Sequence, residues 1–258
     1  MSRFITALKK AAGTAPSPMG FHRTVPAARP RMLLVAAVAG AGDAAARAIT
    51  GNADAVLFPS LKSSPAGKAS ARSKKAEADT PWGVMLAEAG KTAFKGIGGS
   101  DCDFVVFPPE TDFAPVTALE DIGRIIRIDP SLEEGLVRAL NRLPVDAVVI
   151  AASGKEFTWQ QLMRWQRITG LLTKPVLLTV PPDVSREVLQ ALWDSGIDGA
   201  VVEVGAASAD RLKALKETIA DLSPRSPRDK REALLPYPRE KTEVSRESEE
   251  EEEPEEDE

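Results

Sequence analysis

Cysteine and histidine are nearly absent from this sequence of 258 residues, which has one of each, Cys102 and His22. A single cysteine excludes disulfides within the chain and a cysteine metal cluster, and it fits a reducing compartment. His22 lies in a stretch rich in proline and alanine. We therefore expect no histidine or cysteine metal site and no histidine-based acid–base catalysis in the folded body.

Long apolar runs are also missing. No segment approaches the roughly 18 apolar residues that cross a bilayer, and no apolar segment follows the N-terminal Arg3, Lys9 and Lys10 as it would in a secretory signal. The sequence shows no specific nucleic-acid-binding motif. Hydrophobic residues make up 43% of the chain, which is ordinary for a globular protein. These features predict a soluble, cytoplasmic protein without a membrane span.

One pattern recurs four times: an Asp, a small or apolar residue, and then a run of aliphatic and β-branched residues. It occupies residues 54–58, 103–107, 146–150 and 198–202. One more apolar run of strand length lies between each pair, so the pattern marks every second strand of a repeating β-α series.

The complete series has eight predicted strands, at residues 32–39, 53–58, 82–88, 103–107, 123–129, 146–152, 175–180 and 199–204. Strands that alternate with helices predict a parallel sheet, and eight such units predict a single (β/α)8 barrel over residues 31–222, with short helices in its first half. The alternative is an open doubly wound sheet. For that fold the sequence lacks the last glycine of a dinucleotide-binding loop, because Gly40-Ala41-Gly42 is followed by Asp43-Ala44-Ala45.

The helix after Thr158 places five large apolar side chains at helical spacing, and we expect them to pack in the core: Trp159, Leu162, Met163, Trp165 and Ile168. Ser131 is expected to cap the helix that precedes Pro144, and Ser185 the helix before Gly196.

The two ends of the chain differ from the barrel. Residues 1–30 predict a short helix followed by a linker; the helix is either a plug against the barrel, or a docking peptide or membrane-surface anchor. Residues 223–258 are rich in Pro and Arg and then in Glu, and we expect a disordered tail. Residues 247–258 contain ten acids and no base, so the remainder carries about +5 (−5 + 10). The tail is either a solubilising appendage or a shield for a basic surface.

The four Asp residues, Asp54, Asp103, Asp146 and Asp198, precede their strands. We expect them to cap turns at the N-terminal face of the barrel, because chemistry in this fold sits at the C-terminal ends of the strands. At those ends, side-chain alternation groups Arg127 and Asp129 with Ile125, Glu88 with Val84 and Leu86, and Glu203 with Val201.

If these faces point inward, a polar ring forms at the barrel mouth. Glu88, Asp129 and Glu203 would then serve acid–base catalysis or bind Mg²⁺ through oxygen, and Arg127 would bind an anion. The alternative is that Arg127 and Glu203 form a buried structural pair or point outward toward the helices.

Further anion contacts are predicted beyond two strands. The segment that contains Gly205, Ala206 and Ser208 opens the last helix in an anion-binding form, and Lys155 follows the sixth strand. Pro181 and Pro182 remove two main-chain donors after the seventh strand. No strand carries a lysine near its C-terminal end, so a Schiff-base mechanism is not expected.

The opening of the last strand, Gly196-Ile197-Asp198-Gly199-Ala200-Val201-Val202, resembles the last strand of phosphate-binding barrels. The resemblance concerns the fold and identifies no specific family. It implies a lyase-, isomerase- or aldolase-like enzyme for a small anionic, phosphorylated or non-phosphorylated metabolite. The alternative is a non-catalytic barrel that acts as a binding or scaffold module through its N-terminal segment and acidic tail.

Overall fold

The fold is a closed barrel of eight parallel strands. The computed structural model describes residues 2–13, 31–38, 52–60, 80–86, 94, 96–152, 157–204 and 209–225. The strands are β1 (Leu33–Val38), β2 (Ala55–Phe58), β3 (Trp82–Met85), β4 (Phe104–Phe107), β5 (Gly123–Ile128), β6 (Ala147–Ile150), β7 (Val176–Val180) and β8 (Gly199–Val204). They pair in sequence order and β8 closes on β1. The predicted barrel is confirmed, and each strand lies within its predicted segment.

Six α-helices are found in the described residues. They are α1 (Arg3–Ala11), α2 (Phe113–Thr117), α3 (Glu134–Ala139), α4 (Trp159–Leu171), α5 (Arg186–Asp194) and α6 (Ala209–Ala220), and a 3₁₀ turn (Leu140–Arg142) extends α3. None of them has the length and apolar character that crossing a bilayer requires. The helix predicted after Asp43 lies outside the described residues.

The strands separate two apolar layers because successive side chains point to opposite faces. The outer layer joins the strands to the surrounding helices and includes Val84, Ile126 and Val202 of the strands with Trp165 and Leu212 of the helices. The inner layer fills the barrel and contains Val35, Leu57, Val106, Ile125, Val149, Leu177 and Val201.

Helix α1 plugs the N-terminal end of the barrel. Phe4, Ile5 and Leu8 are buried in the inner layer, and the rings of Phe4 and Phe104 lie 4.6 Å apart between centroids. Gly123 provides the space, since a Cβ at this position would lie 2.5 Å from Cγ1 of Ile5. The plug interpretation is therefore correct, and the apolar face of α1 is not available to a docking partner or a membrane.

Three of the four repeated Asp residues tie neighbouring strands together in the same way. Each donates its main-chain N–H to a carbonyl near the start of the preceding strand, and its carboxylate accepts the N–H of that same residue. The pairs are Asp54 with Leu34, Asp146 with Arg124 and Asp198 with Val176, at 2.7–3.0 Å. The carboxylate thus satisfies a main-chain donor that lies beyond the end of the strand ladder.

Asp103 differs from the other three because its carboxylate caps α1. It accepts hydrogen bonds from the Ser2 hydroxyl at 2.7 Å and from the main-chain N–H groups of Arg3 and Phe4 at 2.8 and 2.9 Å. These donors have no partner within the helix, and a carboxylate also favours the positive end of the helix dipole. The predicted capping role of the Asp residues is correct, and Asp103 shows how the plug is held.

The folded body extends three residues further than predicted, to Arg225. The Arg225 guanidinium lies 3.7 Å over the Trp193 ring and 2.9 Å from the wholly buried carboxylate of Asp198. It also donates to the carbonyls of Trp193 at 2.6 Å and Ile197 at 2.7 Å. Residues 226–258, which are the rest of the predicted tail of residues 223–258, lie outside the described residues.

Two predictions about helix ends and faces need correction. The N-cap of α3 is Glu133 and not Ser131, because Ser131 is held by Asp129 in the preceding turn. Thr158 and Ser185 do cap α4 and α5 as predicted.

On α4, Trp165 and Ile168 are buried as expected, but Trp159 is 81% and Met163 67% exposed. The five apolar residues span more than one face of α4. Trp159 and Met163, four residues apart, lie on the side away from the strands.

Candidate functional site

Below its mouth the barrel interior is filled by side chains, so within the barrel the mouth is the place for a ligand. The last inward-facing residues of β1 to β8 are Ala37, Leu57, Met85, Val106, Arg127, Val149, Thr179 and Glu203. The next inward layer down is apolar or glycine, for example Val35, Ile125 and Val201. Side chains of this kind make the interior a packed core and not a pore.

The polar residues of this ring lie on one side. Arg127, Thr179 and Glu203 come from β5, β7 and β8, whereas β1 to β4 contribute apolar side chains. This ring of described residues therefore has a polar half and an apolar half, and small-molecule sites in general combine polar and apolar side chains.

Arg127 points into the mouth, as predicted. It alternates with the inward-facing Ile125 and is exposed. Its single polar contact among the described residues joins Nη1 to Sδ of Met85 at 3.9 Å. Because no carboxylate there lies within ion-pair distance, Arg127 is not half of a buried structural pair.

Glu203 also faces inward, since it follows Val201 on β8 and lies opposite Ala37 of β1. Its side chain is exposed. Within the described part of the chain its carboxylate has no hydrogen bond and no ion pair. The alternative in which Arg127 and Glu203 neutralise each other is not what the structure shows.

Asp129 lies just past the end of β5, and its carboxylate is already engaged. It accepts the Ser131 hydroxyl at 2.6 Å and the Ser131 main-chain N–H at 2.8 Å. These two bonds, the hydroxyl first, lower the pKa of Asp129. Asp129 is therefore ionised at neutral pH and shapes the turn after β5, and a carboxyl in that state is a poor proton donor.

The expected inward orientation of the Val84 and Leu86 face of β3 is wrong. Both side chains belong to the outer layer, and the inward positions of β3 are Gly83 and Met85. Gly83 lies against Phe104, where a Cβ would come within 2.5 Å of the ring. Because Gly83 has no side chain, the sequence shows no apolar residue at this inward position of β3. Glu88 itself lies outside the described residues.

The remaining predicted site residues cannot be placed. Lys155, Gly205, Ala206 and Ser208 all lie outside the described residues. Within the described ranges no three His, Cys, Asp or Glu side chains come together as metal ligands. Of the three carboxylates predicted to hold Mg²⁺, the structure describes Asp129, which accepts two hydrogen bonds from Ser131, and Glu203, which faces the mouth.

Sequence reasoning missed two residues of the ring, Met85 and Thr179. Thr179 is half-buried and follows the inward-facing Leu177 on β7. Strand alternation could have found it, because Leu177 and Thr179 are two residues apart near the end of a predicted strand.

No family model matches this chain, and no curated protein matches it. Solved structures do, and they share the barrel. KGPDC from Streptococcus mutans superposes with a TM-score of 0.56 at 11% identity over 73% of this chain and 97% of its own. Orotidine 5′-monophosphate decarboxylase from Methanocaldococcus jannaschii gives 0.52 at 16% identity over 73% and 99%. A mutant tryptophan synthase alpha-subunit from Pyrococcus furiosus gives 0.52 at 15% identity over 74% and 98%. At these identities the similarity shows the barrel fold, and it confirms the resemblance stated for the last strand at the level of the fold alone.

Proposed function

We propose that this protein is a lyase-, isomerase- or aldolase-like enzyme that binds a small anionic metabolite at the barrel mouth. The observation that carries the proposal is Arg127. The Arg127 guanidinium is exposed, lies in the inward ring and has no carboxylate partner among the described residues. A guanidinium presents donors that match carboxylate and phosphate oxygens.

Each polar side chain of the mouth has a role in this proposal. Arg127 binds the anionic group, Glu203 exchanges a proton with the substrate, and the Thr179 hydroxyl orients it. Ile125, Leu177 and Val201 of the next layer down form an apolar floor, and a less polar surrounding strengthens the electrostatic contacts above it. Gly205, Ala206, Ser208 and Lys155 stay as proposed further anion contacts.

Phosphorylated substrates are one class that this arrangement would suit. A barrel of the same fold is named for orotidine 5′-monophosphate, although function does not follow from fold alone. Mg²⁺ belongs to the proposal as an optional ion, with Glu203, Asp129 and Glu88 as candidate oxygen ligands. It would neutralise charge on the anionic substrate.

The alternative is a non-catalytic binding or scaffold module. It relied on the N-terminal segment and the acidic tail, but Phe4, Ile5 and Leu8 of α1 are buried in the barrel. With that apolar face occupied, the tail is the element on which the alternative now rests. Arg127 and Glu203, which have no charged partner in the part of the chain that the structure describes, support the enzyme proposal.

A thermal-shift screen of phosphorylated and carboxylated metabolites, with and without Mg²⁺, tests the proposal. A ligand present at 100 times its Kd stabilises the protein by about 2.7 kcal/mol. Arg127→Ala should abolish this response, and its own melting temperature should stay close to that of the wild type because no ion pair is lost.

Arg138→Ala is the matched control. Arg138 is an exposed arginine on α3, outside the barrel, with a weak contact to Glu134 at 3.9 Å. It should respond to ligand as the wild type does. Equal ligand responses of Arg127→Ala and the wild type would refute the proposed anion site.

A further inference from the structure

The barrel mouth contains two opposite charges that do not neutralise each other. Arg127 contacts Met85 through Sδ, and Glu203 has no polar contact among the described residues. Both side chains are exposed and face the same opening. In a site for a simple anion, the Glu203 carboxylate on the same half of the ring would repel the ligand.

Their placement on the barrel keeps them apart. β6 and β7 separate β5 from β8, and no ion pair forms between the two side chains. Thr179 of β7 stands between them on the ring. The polar half of the mouth thus runs from a cation, through a hydroxyl, to an anion.

The rest of the opening limits the kind of ligand. Ala37, Leu57, Met85 and Val106 form the opposite, apolar half. On the ring that the described strands form, a ligand therefore finds one positive side chain and one negative side chain at the two ends of the polar half, with apolar surface beside them.

We infer that the mouth takes a small zwitterionic ligand, whose carboxylate or phosphate binds Arg127 and whose ammonium group binds Glu203. Such a molecule neutralises both side chains at once. A ligand with only an anion, or only an ammonium, leaves one charge unpaired and places a like charge near it. This inference rests on the proposed anion site and adds the second contact, which defines the substrate class.

Isothermal titration with matched probes tests it. The probes are ω-aminocarboxylates of three to six carbons, and the carboxylate and the amine of the same chain length that lack the other group. The best aminocarboxylate should bind about tenfold more tightly than either monofunctional probe, which is the lower end of the effect of one added hydrogen bond between charged groups.

Two variants separate the contributions. Glu203→Gln keeps the side-chain size and should remove the roughly tenfold advantage of the aminocarboxylate, while binding of the plain carboxylate stays unchanged or becomes tighter. Arg127→Ala should weaken both the aminocarboxylate and the carboxylate. Melting temperatures of both variants show whether they fold as the wild type does.

The outcomes distinguish this inference from the proposed function. If the carboxylate binds as tightly as the aminocarboxylate and Glu203→Gln changes neither, the zwitterion inference is wrong and the anion site stands. If no probe binds, the zwitterion inference is wrong; if the anionic metabolites of the thermal-shift screen also fail, the proposed function fails with it.

Discussion

The contact between Arg225 and Asp198 gives the sharpest stability prediction. Ending the chain after Leu222 removes Arg225, whereas ending it after Arg225 keeps this residue and removes everything beyond it. The two truncations differ by three residues. We expect the shorter chain to be strongly destabilised and the longer one to melt as the full chain does.

The magnitude follows from the burial of the pair. Asp198 is 0% exposed, and the Arg225 side chain is 10% exposed. Removing one partner of a buried pair leaves an uncompensated charge and costs about 3–5 kcal/mol. The stacking on Trp193 is lost as well. In a domain of this size, 1 kcal/mol changes the melting temperature by about 2–4 °C, so the shorter chain should melt roughly 6–20 °C lower.

Urea unfolding and calorimetry of both truncations measure this difference. Asp198→Asn provides the control, because it removes the buried charge while keeping an oxygen that can accept the Val176 N–H. In the shorter chain this substitution should recover part of the lost stability. If both truncations unfold at the same urea concentration, Arg225 does not hold the chain end and the reasoning is refuted.

Three other predictions concern the plug and the buried thiol. Gly123→Ala should cost about 1–3 kcal/mol because the added methyl meets Ile5; combined with Ile5→Ala, the two losses in urea unfolding should be less than additive, and strict additivity would contradict the contact. Asp103→Asn should cost about 2–3 kcal/mol and exceed the loss for Asp146→Asn, since Asp103 accepts three hydrogen bonds and Asp146 accepts one main-chain bond; equal losses would mean that Asp103 does not anchor α1. Burial raises the pKa of Cys102 to about 12 from 9.0, so the stability that the buried thiol contributes is complete below pH 9 and is lost as the pH rises toward 12. Cys102→Ala should therefore lose less stability than the wild type across this window, by up to about 4 kcal/mol. Parallel pH profiles of the two proteins would disprove the shift.

The strand pattern of the barrel could be predicted because it is a local property. The segment Asp146 to Ile150, like its three counterparts, has a turn-forming carboxylate followed by a continuous apolar run. Such a run is typical of a strand that is buried on both faces. Eight such units leave few topologies, because parallel strands joined by helices connect in one hand. The capping role of Asp146 follows from its position before a strand, without knowledge of its partners.

Which face of a strand points inward was predictable only where both faces carry side chains. On β5 and β8, Ile125 and Val201 mark the inward face, and Arg127 and Glu203 follow by alternation. On β3 the inward position is Gly83, which has no side chain, so Val84 and Leu86 gave the opposite answer. The close approach of Phe104 decides that orientation, and Phe104 is on another strand.

The amino-acid sequence by itself therefore determined the repeat, the strands and the position of the four capping Asp residues at the N-terminal face of the barrel, because propensity and periodicity act over a few residues. Only the tertiary structure decided which Asp holds the plug, that Arg225 reaches back to Asp198, and that Arg127 and Glu203 face one opening without pairing with each other. Asp103 and Ser2 are 101 residues apart, and Arg225 and Asp198 are 27 apart. Contacts at these separations depend on how the closed barrel brings distant segments together, which no local pattern encodes.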